Sequence, residues 1–183
     1  MPYDFQIKRR VEFSDTDMAG IMHFSNFFRF MEAAETAFLR SLGFSVGLCR
    51  GGLELCLPRV HAECDYLAPL RFEDEVLIHL LVEKKGARSL AYRFRFYRLD
   101  GPSREEAARG RITLAHVLRQ PDGSFKAAPL PRALVEMIQQ APAELLSETG
   151  PARKEGRTRN ANHAVLAGGR TALPAQHKRY SYE

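Results

Sequence analysis

One long amphipathic helix lies in the first quarter of the chain and constrains what the other residues can fold into. Its apolar residues recur at spacings of three and four, with charged residues between them; they occupy positions 27, 28, 30, 31, 34, 37, 38 and 42. We predict a helix from Ser25 to Leu42, with Ser25 or Asn26 as the N-cap and Gly43 just beyond its end. Such a helix is about 27 Å long, enough to cross a small domain.

Most of the other predicted elements are strands joined by short links. Alternating apolar and polar residues predict strands at 4–14, 58–66, 75–83, 89–98 and 106–119, and a proline predicts a short helix at 131–140. The glycine-rich stretch 45–55 is predicted to be a loop. In the second strand, the residues expected to face the core are Val60, Ala62, Cys64 and Tyr66. One helix followed by four consecutive strands predicts the α+β class with a mostly antiparallel sheet.

Charge and composition divide the chain into two regions. Residues 1–146 carry 20 basic and 19 acidic side chains, whereas residues 147–183 carry 7 and 3. We therefore predict one nearly neutral domain at 1–146 and a basic, disordered tail at 147–183, rich in glycine, proline and arginine and without periodicity. We expect this tail to be dispensable for folding. No basic face with stacking aromatic residues accompanies the charge, so we predict no nucleic-acid partner.

The cysteines and the N-terminal residues indicate the cellular compartment of the protein. Cys49, Cys56 and Cys64 show no C-x-x-C spacing, so we expect neither a disulfide framework nor a zinc site. The first residues, MPYDFQIKRR, lack the apolar core of a signal peptide, and no run of eighteen apolar residues occurs. We expect a soluble, cytoplasmic protein that does not bind membranes.

Two carboxylates precede the predicted helix by a short turn. Asp15 and Asp17 are followed by Gly20, and the first backbone N–H groups of a helix have no acceptor within it. A carboxylate can act as general base or nucleophile, and free N–H groups can stabilise an oxyanion, so the arrangement suits acyl transfer chemistry. Aspartate in a turn also commonly bonds its own backbone. The residues alone favour this structural role over the catalytic one.

Several motifs resemble the signature of the 4-hydroxybenzoyl-CoA thioesterase family, and together they span roughly residues 3–140. They are Asp15-Thr16-Asp17, Ala19-Gly20-Ile21, the run NFFRFME at 26–32, Tyr66-Leu67-Ala68-Pro69, Phe72-Glu73-Asp74 and Gly86-Ala87-Arg88-Ser89. The resemblance implies the hot-dog fold, an antiparallel β-sheet wrapped around one long central α-helix. It also implies that Asp17 is the catalytic base or nucleophile. For Asp15 the structural role in the turn stays preferred.

The resemblance implies roles for two further groups of residues. The oxyanion site and acyl pocket would comprise Gly20, His23, Phe24 and Asn26; the coenzyme A site would comprise Lys84, Lys85, Arg88 and Ser89. Related sequences often place the histidine after an aromatic residue, whereas here His23 precedes Phe24, so a pocket-lining or structural histidine is an equal alternative. On charge alone, the basic turn is as well explained by solvation. We interpret Glu32 and Glu35 as one buried, hydrogen-bonded glutamate and one on a solvated face, without assigning which is which. The alternative is that one of them supplies the second carboxylate that another hot-dog branch uses on its helix.

We therefore predict an acyl-CoA thioesterase without metal or cofactor, acting as a homodimer or homotetramer with sites between subunits. The acyl group and the carrier, coenzyme A or acyl carrier protein, are not specified by the sequence. Two alternatives stay open. One is a hot-dog dehydratase or hydratase acting on hydroxyacyl thioesters, for which His23 and Asp17 could form an acid–base pair. The other is a non-catalytic acyl-thioester binding module.

Overall fold

The predicted long helix is present and buries one face. The computed structural model describes residues 1–47 and 54–147, so most of the predicted tail and part of the 45–55 loop lie outside the described residues. Helix α1 comprises Asn26–Ser41. Gly43 follows it with φ +82°, the left-handed conformation that ends many helices. The side chains that α1 buries are Asn26, Phe27, Phe30, Met31, Ala34, Glu35, Phe38 and Leu39.

A five-stranded antiparallel sheet packs against α1. The strands are β1 (Asp4–Arg10), β2 (Ser45–Val46), β3 (Glu54–Leu55), β4 (Arg59–Tyr66), β5 (Glu75–Lys85), β6 (Ser89–Asp100), β7 (Ser103–Ala115), β8 (Val117–Arg119) and β9 (Phe125–Ala127). The main sheet has the order β1-β5-β6-β7-β4, while β2 pairs with β3 and β8 pairs with β9. Two short helices follow, α2 (Arg132–Met137) and α3 (Ala143–Leu146). This architecture confirms the α+β prediction.

The central strands supply the inner face of the sheet, as their alternation predicts. On β5 the buried residues are Val76, Ile78, Leu80 and Val82, and on β6 they are Leu90, Tyr92, Phe94 and Phe96. Strand β7 approaches α1 closely at Gly110. A Cβ atom there would lie 2.2 Å from Met31 Cε and 2.6 Å from its Sδ. The glycine therefore allows the helix and the sheet to pack at their present separation.

The predicted burial of β4 is wrong in the isolated chain. Val60 is 62% exposed and Tyr66 is 48% exposed, Ala62 is exposed, and only Cys64 is half-buried. The physical reason is position: β4 is an edge strand, paired on one side with β7 alone. Its alternation predicts a buried face, but within the described chain only Cys64 and the ring of Tyr66 pack against the core from that face.

Three predicted boundaries also differ. The first strand ends at Arg10, because the next residues turn into a short 3₁₀ helix at Phe13–Asp15. The fifth predicted strand begins earlier, at Ser103, and breaks at His116 between β7 and β8; His116 N–H donates to Arg88 O at 2.8 Å. The stretch predicted to be a loop contains the short strands β2 and β3.

Three further features of the described chain concern its cysteines, the end of α3 and the length of its helices. Cys56 is disulfide-bonded, against the expectation of unpaired cysteines, while Cys64 is a free thiol. At the end of α3, Arg93 and Arg95 donate hydrogen bonds to backbone carbonyls of residues 145–147 at 2.7 to 3.1 Å. Within the described part of the chain, no helix has the length and apolar character needed to span a lipid bilayer.

Candidate active site

Asp15 organises the turn that precedes α1. Its side chain is buried, and its Oδ2 accepts a hydrogen bond from the Glu12 N–H at 3.0 Å. Its backbone carbonyl accepts two more, from the His23 N–H and from Asn26 Nδ2, both at 2.8 Å. Asn26 is itself buried at the first position of the helix. These contacts support the structural role predicted for Asp15 and show that Asn26 fixes the turn to the helix.

Asp17 lies on the exposed side of the same turn. Its Oδ1 accepts a hydrogen bond from the Ala19 N–H at 2.8 Å, the local contact expected of a turn aspartate. The Asp17 N–H donates to Ile21 O at 3.0 Å, and the Asp17 backbone carbonyl accepts from the Gly20 N–H at 2.9 Å. Gly20 has φ +72°, a conformation that side chains disfavour. Among the described residues nothing hydrogen-bonds to Asp17 Oδ2, so one oxygen of a well-positioned carboxylate is available.

Unpaired backbone donors lie at the start of α1, a few residues beyond Asp17. The N–H groups of Asn26 and Phe28 donate to His23 O and Ser25 O at 2.9 and 3.2 Å. Those of Phe24 and Ser25 find no acceptor within the described residues. Ser25 does not cap the helix with its side chain. The positive end of the helix dipole adds to these N–H groups, so the turn can bind a developing negative charge.

His23 is engaged locally. Its Nδ1 hydrogen-bonds to Ser25 Oγ at 2.8 Å, and its ring packs against Phe24 with centroids 4.4 Å apart. No hydrogen bond joins His23 to Asp17 among the residues that the structure describes.

An apolar rim surrounds the turn. We use this name for six exposed side chains near Asp17: Phe13, Met18, Phe24, Tyr66, Leu67 and Phe72. Phe13 and Phe72 pack edge to face at 6.0 Å. So much exposed apolar surface around a polar turn is typical of a binding site or an interface.

The predicted coenzyme A residues form the β5–β6 turn, but they do not act alike. Lys85 Nζ donates to Val135 O and to Ile138 O, both at 2.9 Å, so its ammonium stabilises the end of α2. Lys84 and Arg88 are exposed. Ser89 begins β6. Lys84 and Arg88 are thus the two basic side chains of this turn that lie open to an anion.

This basic turn lies far from Asp17 in the same chain. The start of α1 contacts Tyr66 on β4 and Phe96 on β6. Both residues pair with Ala108 of β7, so they lie at the same level of the sheet. Ser89, where the basic turn joins β6, lies seven residues before Phe96, which is about 23 Å at the rise of an extended strand. The structure therefore brings together Asp17, Gly20, His23, Phe24 and Asn26, but places Lys84 and Arg88 at the opposite end of the sheet.

Two residues near the helix carry contacts that the sequence does not reveal. The Tyr66 hydroxyl donates to Phe24 O at 3.2 Å, across 42 residues of sequence. Glu35 is the buried one of the two helix glutamates, and its Oε2 accepts a hydrogen bond from Arg59 at 2.9 Å. Burial raises the pKa of Glu35 to about 7, although the Arg59 charge opposes this. Glu32 is the solvated glutamate of the pair, since its side chain is 58% exposed.

The fold and the turn together define a class before any relative is considered. An antiparallel sheet packed against one long helix, with free N–H groups at the helix start, is the hot-dog arrangement. A sequence model of the thioesterase superfamily matches residues 19–104. An Aquifex aeolicus protein named only as an esterase is 38% identical over 101 residues, covering 55% of this chain and 76% of the relative. The chain therefore belongs to the thioesterase superfamily.

Solved structures agree with this assignment. A 1,4-dihydroxy-2-naphthoyl-CoA thioesterase from Synechocystis superposes with a TM-score of 0.62 and 26% identity, over 72% of this chain and 93% of the other. The 4-hydroxybenzoyl-CoA thioesterase of Pseudomonas sp. strain CBS-3 gives a TM-score of 0.64 at 18% identity, over 74% of this chain and 99% of the other. The second comparison bears on the fold alone. The predicted hot-dog fold is confirmed.

Proposed function

We propose that this protein hydrolyses an acyl-coenzyme A thioester to the free acid and coenzyme A, with Asp17 as the general base or the nucleophile. The thioesterase class follows from the family; the residue roles and the substrate are the proposal. The observation that carries it is that one short turn holds both a carboxylate oxygen of Asp17 and the N–H groups of Phe24 and Ser25, none of which has a hydrogen-bond partner within residues 1–47 and 54–147.

The chemistry needs no further group. With Asp17 as base, the carboxylate takes a proton from water while the water oxygen attacks the thioester carbon. The carbonyl oxygen gains negative charge, which the N–H groups at the helix start stabilise. Collapse of this intermediate breaks the carbon–sulfur bond, and the coenzyme A thiolate leaves with the proton that Asp17 had taken from the water, which restores the carboxylate. With Asp17 as nucleophile, the same steps give a mixed anhydride, which water then hydrolyses.

The other predicted residues have supporting roles in this proposal. Gly20 holds the turn in its left-handed conformation, and Asn26 fixes the helix start to Asp15. His23 and Phe24 line the approach to the turn. The apolar rim suits a flat, apolar acyl group, and the solved relatives are named for aromatic acyl-CoA substrates. We therefore place an aromatic acyl-CoA first among the substrates to test.

A substrate panel tests the proposal. Purified protein is offered aromatic, short-chain and long-chain acyl-CoA thioesters, together with acyl carrier protein thioesters, and the release of free thiol is measured. We expect thiol release that saturates with at least one acyl-CoA. A hydroxyacyl-CoA that loses water without releasing thiol would indicate the dehydratase instead. Tight binding with neither product would indicate a binding module.

We further propose that the protein is a homodimer or homotetramer with its sites between subunits. Strand β4 leaves one edge unpaired and its predicted core face exposed, and the apolar rim around Asp17 is also uncovered. A second subunit packing there would bury both surfaces. Because the basic turn lies about 23 Å along β6 from the level of the helix start, Lys84 and Arg88 would serve the site of a neighbouring subunit.

Neutralising the basic turn should weaken binding of the nucleotide end of coenzyme A. In the double variant Lys84→Gln/Arg88→Gln, KM for acyl-CoA should rise several-fold and depend less on salt, while kcat stays the same. Acyl-pantetheine lacks the nucleotide phosphates, so its KM should not change. Lys85 is left intact because its ammonium stabilises α2.

A matched control removes two exposed charges elsewhere. Arg119→Gln/Lys126→Gln lies on the β8–β9 pair and lowers the net charge equally. If this control raises KM as much, the effect comes from overall charge. If the Lys84 and Arg88 variant affects both substrates equally, the turn does not contact the nucleotide.

A further inference from the structure

The end of strand β4 is joined to the turn in front of α1 by a contact that the proposed chemistry does not use. Tyr66 Oη donates to Phe24 O at 3.2 Å. Its ring packs edge to face on Phe27 at 5.1 Å, and Phe27 packs in the same way on Phe96 at 5.3 Å. The Tyr66 side chain is thus anchored to the core through Phe27, although it is half-exposed.

The hydrogen bond acts on one peptide group. The carbonyl of Phe24 and the N–H of Ser25 belong to the same planar, trans peptide, so they point in opposite directions. A group that holds Phe24 O therefore also fixes the direction of the Ser25 N–H, which is unpaired among the described residues. A hydrogen bond accepted by the carbonyl also polarises the peptide and strengthens its N–H as a donor.

We propose that Tyr66 is a positioning residue for the oxyanion site: it orients and polarises the Phe24–Ser25 peptide so that the Ser25 N–H is ready to bind the developing charge. This inference rests on the proposed thioesterase function and extends it to a residue on another strand. The Tyr66 hydroxyl is bonded to Phe24 O, so in this proposal it acts through the peptide and not through its own contact with the reacting thioester. Its effect is confined to the transition state, in which the oxyanion is present, so the substrate should bind as before.

The variant Tyr66→Phe keeps the ring that packs on Phe27 and removes only the hydroxyl. We expect kcat to fall about 10-fold, less than the loss of a whole oxyanion donor, with KM within about twofold of the unaltered protein. The melting temperature should stay within a few degrees. In the NMR spectrum, the amide resonance of Ser25 should shift, because its peptide loses a hydrogen bond at the carbonyl.

The control is Tyr97→Phe, which removes a tyrosine hydroxyl on β6 whose ring contacts Arg104 and not the turn. It should leave kcat, KM and the Ser25 resonance unchanged. The inference is overturned if Tyr66→Phe keeps its full kcat, or if the Ser25 resonance does not move. A fall in kcat together with a rise in KM of the same size would indicate general disruption of the site and would also overturn it.

The failure of this inference can be told apart from a failure of the proposed function. If Asp17→Asn is inactive while Tyr66→Phe turns over at the full rate, only the role of Tyr66 is wrong. If Asp17→Asn keeps its activity while Tyr66→Phe is slow and the Ser25 resonance shifts, the role of Asp17 is wrong and that of Tyr66 stands.

Discussion

The variant Asp17→Asn should lower kcat for acyl-CoA hydrolysis by at least about two orders of magnitude, the scale of losing a general base. An amide can neither accept the proton of the attacking water nor form an anhydride. Its carbonyl oxygen can still accept the hydrogen bond from the Ala19 N–H, so the turn should keep its shape. Initial rates of thiol release, with the melting temperature measured alongside, test this expectation.

Asp15→Asn is the matched control, two residues away in the same turn. Asp15 is buried and accepts the Glu12 N–H, so its substitution should act on stability before it acts on catalysis. We expect a lower melting temperature and a smaller loss of kcat. An Asp17→Asn variant that retains most of its turnover would show that the carboxylate is not the base or the nucleophile.

A second large effect is expected in the pH dependence of stability, through Glu35. Burial raises its pKa to about 7 from 4.5, with Arg59 opposing and Glu32 assisting the shift. Its Oε1 is buried and has no hydrogen-bond partner in the part of the chain that the structure describes, which adds to the cost of ionising it. Between about pH 4.5 and 7 the folded state holds this proton more firmly than the unfolded state does. The free energy of unfolding should therefore fall as pH rises through this window.

The expected size of this loss is about 3 kcal/mol, since each pKa unit corresponds to about 1.4 kcal/mol. Glu35→Gln carries no charge at any pH, so its stability should vary much less between pH 5 and 8. Urea unfolding at several pH values measures this. Glu32→Gln is the control, because Glu32 binds the same arginine from an exposed position. A Glu35→Gln variant with the original slope would contradict the assignment.

The carboxyl group of Glu83 affects stability at lower pH, outside the window in which Glu35 acts. Burial alone would raise the pKa of Glu83, but hydrogen bonds from Arg93 and Arg111 lower it below its usual value of 4.5. Its stabilising contribution is present above the unfolded pKa and is lost as pH falls through the folded one. Any slope from Glu83 therefore lies below pH 4.5 and has the opposite sign.

The sequence predicts the elements whose burial is decided within the chain. The faces of α1, β5 and β6 follow from periodicity because each packs against another part of the same domain. The faces of β4 could not be predicted in this way. Alternation at Val60 and Ala62 indicates that a surface is to be covered, but it does not say whether the same chain covers it.

The candidate site could be predicted only where its residues lie close together in the sequence. Asp15, Asp17 and Gly20 are close in sequence, and the turn rules give their roles. The partners of Lys85 and Tyr66 are separated from them by 50 and 42 residues. Such pairs depend on sheet register, which one sequence does not determine. The same holds for Arg59, which reaches Glu35 only because β4 runs beside α1.

The missing side chain at Gly110 has a consequence for how this enzyme can evolve. Any larger residue would have to displace the buried end of Met31 or lift α1 from the sheet. Because Asn26 fixes the turn to the start of the helix, lifting the helix would pull on the turn that carries Asp17. Position 110, which lies in the core, would then influence the reaction rate through the spacing between α1 and the sheet. Natural selection for turnover should restrict this core position as strongly as it restricts the site itself.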